Sequence, residues 1–213
     1  VSAAATSRRR TPFEAARRRM LTALLAGIWL FFAEAHLVHW YQTGHANGLG
    51  MMLVETVVAV LFIVRREPLT TSRRWGAWTA TAIGTFGPLA LRPTDSAVGP
   101  LGDLALALQF GGAVCALAAL LTIGRSFGLV AANRGIKTSG PYGIVRHPVY
   151  AAYLIVTTGY LLENPSAWNF AVLAVSLLGQ IARISCEEEV LSQDPAYVEY
   201  RRRVRYRLVP LVF

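Results

Sequence analysis

Six apolar stretches run through this chain, at about residues 20–41, 50–64, 75–91, 104–124, 149–162 and 168–184, and the basic residues gather in every second gap between them. Arg8, Arg9, Arg10, Arg17, Arg18 and Arg19 precede the first. Arg65, Arg66, Arg73 and Arg74 separate the second from the third. Arg125, Arg134, Lys137 and Arg146 separate the fourth from the fifth. Arg183, Arg201, Arg202, Arg203, Arg205 and Arg207 stand at or after the end of the sixth. Of the 21 lysines and arginines, only Arg92 falls on the other side. Such segregation is the positive-inside pattern of a multi-span membrane protein and places both termini in the cytoplasm. The chain is 54% hydrophobic and 15% charged, yet carries a net charge of +9. A nucleic-acid-binding domain spreads its basic residues over a polar fold, so that class is excluded.

The expected architecture is all-α: a polytopic integral membrane helix bundle of about six apolar segments, the last two forming a hairpin. Roughly 20 helical residues cross the hydrocarbon core. The first and fourth segments suffice alone; the second and fifth are short and need flanking residues if they span. Residues 1–19 read as a basic cytoplasmic segment, 20–124 as N-terminal transmembrane helices and 125–213 as a C-terminal unit. Ser7-Arg8-Arg9 before an apolar run has a faint likeness to a twin-arginine signal, but the run is too long for a signal core, so an uncleaved anchor is expected. The host is the plasma (inner) membrane or an endomembrane. Cys115 and Cys186 are too isolated for a disulfide framework or a zinc site. Asp194-Pro195 reads as an N-cap with proline at the first helical position. The helix it opens, with Tyr197, Tyr200 and Val204 on one face and arginines elsewhere, is expected to lie on anionic lipid.

Three constellations could carry chemistry. The loop "NRGIKTSGPYGIVRHPVY" has glycines that let backbone approach a ligand, donors in Lys137, Arg146 and His147, and tyrosines at 142, 150 and 153. Pro148 suits the first turn of the fifth segment. The residues alone fit a ligand clamp or a juxtamembrane turn with snorkelling arginines. In "RISCEEEVL", Arg183 and Glu187 share a helix face while Glu188 and Glu189 point elsewhere; a solvated helix end reads equally well. Glu34, His36, His39 and Glu55 lie inside apolar segments, where ionisable groups mark function by default, and a polar contact between helices is the expectation. No Walker A sequence, G-x-S-x-G elbow or Rossmann glycine fingerprint is present.

Taken together, "TSGPYGIVRHPVY", the helical hairpin after it and "RISCEEEVL...YVEYRRRV" resemble the isoprenylcysteine carboxyl methyltransferase family, part of a wider membrane group that includes phospholipid N-methyltransferases. The resemblance covers about residues 125–210. It implies S-adenosylmethionine held at the cytoplasmic face without a Rossmann fold. It assigns cofactor contacts to Arg134, Gly135, Ile136, Lys137, Tyr142, His147, Pro148, Val149, Tyr150 and Glu187. Arg183 would face the acidic group of the substrate and, with Glu187, form the catalytic pair. Ala152 departs from the family pattern, where many relatives carry glycine, and the stretch 191–197 is shorter than usual, which bears on the lid over the cofactor.

The implied activity is methyl transfer to a lipophilic acceptor entering from the bilayer, an isoprenylcysteine-type carboxylate being one option, with membrane lipids as the surrounding partners and no metal. With an amine acceptor, Glu188 could take the proton. Two other readings stay open: a membrane sterol or steroid reductase using NADPH, and a membrane protein that binds the cofactor without turnover.

Overall fold

The computed structural model describes residues 11–44, 47–72, 74–94 and 101–212. Ser7, Arg8, Arg9, Arg10 and Arg73, which entered the charge pattern and the signal reading, lie outside the described residues. Among the described residues the chain is predominantly helical, and each of the six apolar stretches is occupied by a helix.

Helix α1, Pro12–Thr43, starts before its apolar run because Thr11 and Glu14 form a capping box: Glu14 N–H donates to Thr11 Oγ1 and Thr11 N–H to Glu14 Oε2. It ends at Gly44, whose φ of 72° is the left-handed cap that glycine adopts without strain. Helix α2 is Asn47–Val64. Helix α3, Trp75–Phe86, stops short of the expected residue 91; a 3-10 turn over Gly87–Ala90 follows, where Pro88 lacks the N–H to continue the ladder. Helix α4 is Gly102–Ile123, and α5, Pro148–Glu163, opens on proline at its first position. Helix α6, Ala167–Leu191, runs past the expected 184, so Arg183 and the three glutamates are helical. Helix α7, Pro195–Arg203, is capped by Asp194, which accepts from Ala196 N–H.

Among the described residues, three helical stretches are long and apolar enough to cross a membrane: Pro12–Gln42, Gly102–Ser126 and Ala167–Leu191. Large apolar side chains stay exposed on all three, among them Phe31 at 65%, Val114 at 64% and Leu178 at 67%. Faces so apolar and unpacked suit lipid rather than water.

The main packing pairs are α1 with α2, α4 with α5, and α3 with α6, with α2 also against α4. Val54, Val58, Phe62, Ala116 and Leu120 form the buried centre of the α2–α4 contact. Small residues set the close approaches. A Cβ on Gly179 would lie 2.8 Å from Gly84 N, and one on Gly112 would lie 2.9 Å from Val156 N. The last two apolar segments are joined by the three-residue turn 164–166, and α5 and α6 touch each other only sparsely. Helix α5 packs chiefly on α4 and α6 on α3, and a cavity opens between them.

The 125–146 loop is held from three sides. Strand β2, Ala132–Asn133, pairs antiparallel with β1, Thr70–Thr71, in the register Thr70↔Asn133. The Asn133 amide donates to Asp194 Oδ2 at 2.8 Å, tying the loop to the cap of α7. Main-chain N–H groups of Arg146 and His147 donate to the carbonyls of Tyr206 and Arg207, so the segment after α7 returns alongside the start of α5. The apolar face of α7 does not meet lipid as expected. Tyr197 and Tyr200, each 2% exposed, pack with Val204 against Ile136 and Leu191. Only the opposite, arginine-bearing face is open.

Candidate active site

A cavity of about 520 Å³ is lined by residues of all seven helices, α1 to α7, and by the loop 125–146. Every residue that the motif assigned to a cofactor or catalytic role lines it except Pro148, which instead starts α5. Arg134, Gly135, Ile136 and Lys137 come from the loop, Tyr142 from the 3-10 turn Gly140–Gly143, His147, Val149 and Tyr150 from the head of α5, and Arg183 and Glu187 from α6. Tyr197, Tyr200 and Leu208 add a wall from the C-terminal region that the motif did not single out.

Arg183 and Glu187 sit one helical turn apart and meet, with Nε 3.1 Å from Oε1. The guanidinium also donates to Thr85 Oγ1 at 2.8 Å and to the Leu129 carbonyl at 2.7 Å. It lies over the Tyr150 ring, 4.7 Å from the centroid, and Tyr150 O–H donates to Glu187 Oε1 at 2.5 Å. The Tyr150 ring in turn stacks on His147 at 5.6 Å. Helix α3, the loop, α5 and α6 therefore fix one planar cation, one carboxylate and one phenol together at a wall of the cavity.

The neighbouring glutamates leave the helix in other directions. Glu188 is 4% exposed and accepts from Arg146 Nε at 2.7 Å and Arg207 Nε at 3.0 Å, with His147 Nε2 at 3.3 Å. With both oxygens so held it is poorly placed to take a substrate proton, and it does not line the cavity. Arg146 Nη1 donates further to the Val204 and Arg205 carbonyls, so this residue fastens the returning C-terminal segment. Glu189 points outward to Arg74, at 2.8 Å.

Arg134 differs from these saturated groups. Its Nε is buried and has no hydrogen-bond partner. Burial, and then the charge of Arg65, push its guanidinium down to about 10, while Glu187 pulls the other way. A half-buried cation with an unpaired donor suits an anionic ligand group. Tyr200 O–H donates to the Tyr142 carbonyl at 2.7 Å, and burial raises the Tyr200 hydroxyl to about 12, so this wall stays neutral.

Of the polar residues inside the apolar segments, His36 and Glu55 pair across α1 and α2, with Nε2 and Oε1 3.6 Å apart, and both line the cavity. His39 also lines it, while Glu34 is exposed on α1 and does not.

Residues 100–194 match the family model described as phospholipid methyltransferase. The chain is 37% identical over 114 residues to protein-S-isoprenylcysteine O-methyltransferases A and B of Arabidopsis thaliana, covering 49% of this chain and 57% of each plant protein. It is 29% identical over 166 residues to the cobalt-zinc-cadmium resistance protein CzcN of Cupriavidus metallidurans, covering 76% of this chain and 63% of that protein. The chain thus spans less than two thirds of the length of these relatives.

Proposed function

Starting from the phospholipid methyltransferase match of residues 100–194 and the resemblance to isoprenylcysteine methyltransferases, we propose that this chain is a membrane-embedded, S-adenosylmethionine-dependent methyltransferase with a lipophilic acceptor. One observation carries the reading: the residues that the motif marks lie on the wall of a cavity that also runs between apolar helices. A polar cofactor and a greasy acceptor could meet there.

The residues fit the cofactor chemically. The unpaired Nε of half-buried Arg134 would take the carboxylate of its methionyl end, with Lys137 at the rim. Glu187 offers negative charge toward its ammonium or sulfonium, and Tyr142, Tyr197 and Tyr200 offer flat neutral walls. When bound, S-adenosylmethionine supplies an electrophilic methyl group.

The protein's own part is alignment and exclusion of water. Arg183, fixed by Glu187, Thr85 and backbone carbonyls, keeps a planar cation over Tyr150 and can hold an acidic acceptor group by a remaining N–H. Orientation of this kind contributes roughly 7–11 kcal/mol in favourable cases. A carboxylate acceptor needs no proton removed, which agrees with Glu188 being fully engaged. Carboxyl O-methylation is therefore the finer reading.

The expected outcome is transfer of label from methyl-tritiated S-adenosylmethionine into organic-extractable, base-labile product when the detergent-purified protein is given a total membrane lipid extract. Arg183→Ala should abolish the label. Base-stable label would redirect the reading to an amine or thiol acceptor, and no label from any extract would count against methyl transfer.

A further inference from the structure

The cavity does not stop at the Tyr150–Arg183–Glu187 cluster. It continues to α1 and α2, where Trp29, Phe32 and His36 recur on one face of α1 and Glu55 comes from α2. Tyr153 lies between the two regions, within electrostatic reach of both Glu55 and Arg183.

Glu55 is 6% exposed, and its two oxygens have different surroundings. Oε1 faces His36, whereas Oε2 is buried with no hydrogen-bond partner. Trp29 of α1 lines the same cavity, and its Nε1 is also buried and unpartnered. A carboxylate oxygen left unpaired in apolar surroundings is strongly unfavourable, so a ligand group that pairs with it there is favoured. The two orphans make opposite demands: Oε2 needs a donor, and the indole N–H needs an acceptor. A hydroxyl has the donor for the one and the acceptor for the other. An ammonium meets only the carboxylate, and a methyl group meets neither.

We infer that the methyl acceptor is a two-ended amphiphile. Its apolar body fills the cavity, its methyl-accepting group lies at Arg183 and Glu187, and a hydroxyl at the other end is held by Glu55 with Trp29. The statement of which end is methylated rests on the function proposed above. The hydroxyl subsite itself rests on Glu55, Trp29 and the continuity of the cavity.

The test uses calorimetric binding to the detergent-purified full chain. The probes are a chain-length series of saturated ω-hydroxy carboxylic acids, with methyl-ended and ω-amino counterparts of equal length. At the best-fitting length the native protein should bind the hydroxyl-ended acid roughly tenfold or more tightly than the methyl-ended one. Glu55→Leu should erase that preference while binding the methyl-ended acid at least as well, which also shows that the variant is folded. Glu55→Gln, which keeps an accepting oxygen, should retain part of it. Indifference to the end group, as a resident water on Glu55 would produce, overturns the inference. So does preference for the methyl or amino end, or no binding of any acid. S-adenosylhomocysteine titrated into the same samples separates the two claims. Its failure to bind beside an intact hydroxyl preference sinks the methyltransferase reading alone. Its binding without that preference sinks the hydroxyl subsite alone.

Discussion

Arg146 and His147 stand side by side at the head of α5 but serve different neighbours. The Arg146 guanidinium is used up on Glu188 and on the carbonyls of Val204 and Arg205, and only the His147 ring stacks on the tyrosine that touches Glu187. Both residues line the cavity, but only Arg146 fastens the returning C-terminal segment through its side chain. Breaking the fastener should cost stability: Glu188→Gln removes the charge that pairs two arginines, and a loss of about 3 kcal/mol or more in denaturant unfolding is expected. A loss near zero would mean that the network is solvated. Arg183 should respond differently. Arg183→Lys keeps a charge but cannot span Glu187, Thr85 and the Leu129 carbonyl at once. Methyl transfer should fall by about 10²-fold with cofactor affinity little changed, as kcat and binding measured side by side will show.

Helix α6 carries three consecutive glutamates, and its pitch sends each to a different place: Glu187 to the cavity, Glu188 to the buried arginines and Glu189 to Arg74. The Arg183–Glu187 spacing was readable because a four-residue step shares a helix face. The partners of Glu188 were not, since Arg146 and Arg207 reach it only after the C-terminal segment folds back on α5. The helices themselves were legible from apolar runs, from the Asp194-Pro195 cap and from Pro148. The limit of α3 was not, because the apolar run continues through a turn that Pro88 enforces. Neither was the mutual support of α3 and α6, where Gly84 and Gly179 let backbones nearly touch. Gly179→Val should force them apart and destabilise the protein by about 1–3 kcal/mol. Gly27→Val on α1, where a Cβ meets nothing within 4 Å, is the control that should cost much less.

At the scale of the molecule, the charge pattern predicts an orientation that a labelling experiment can check. With Cys115 and Cys186 changed to serine, a single cysteine at Lys137 should react with a membrane-impermeant maleimide from the cytoplasmic side, and one at Ala167 only from the other. Reaction of both from one side would contradict the charge pattern. The cavity joining the C-terminal motif to Glu55 could not be read from spacing, because its walls come from helices far apart in the chain. The motif named residues on one wall only. If this cavity takes S-adenosylmethionine, calorimetric titration of S-adenosylhomocysteine and of NADPH into the detergent-purified protein will tell the two cofactors apart. Micromolar-range binding of the first, none of the second, and affinity weakened roughly tenfold or more in Glu187→Gln are expected. Binding of NADPH alone, or no binding of either by folded protein, would contradict the S-adenosylmethionine reading.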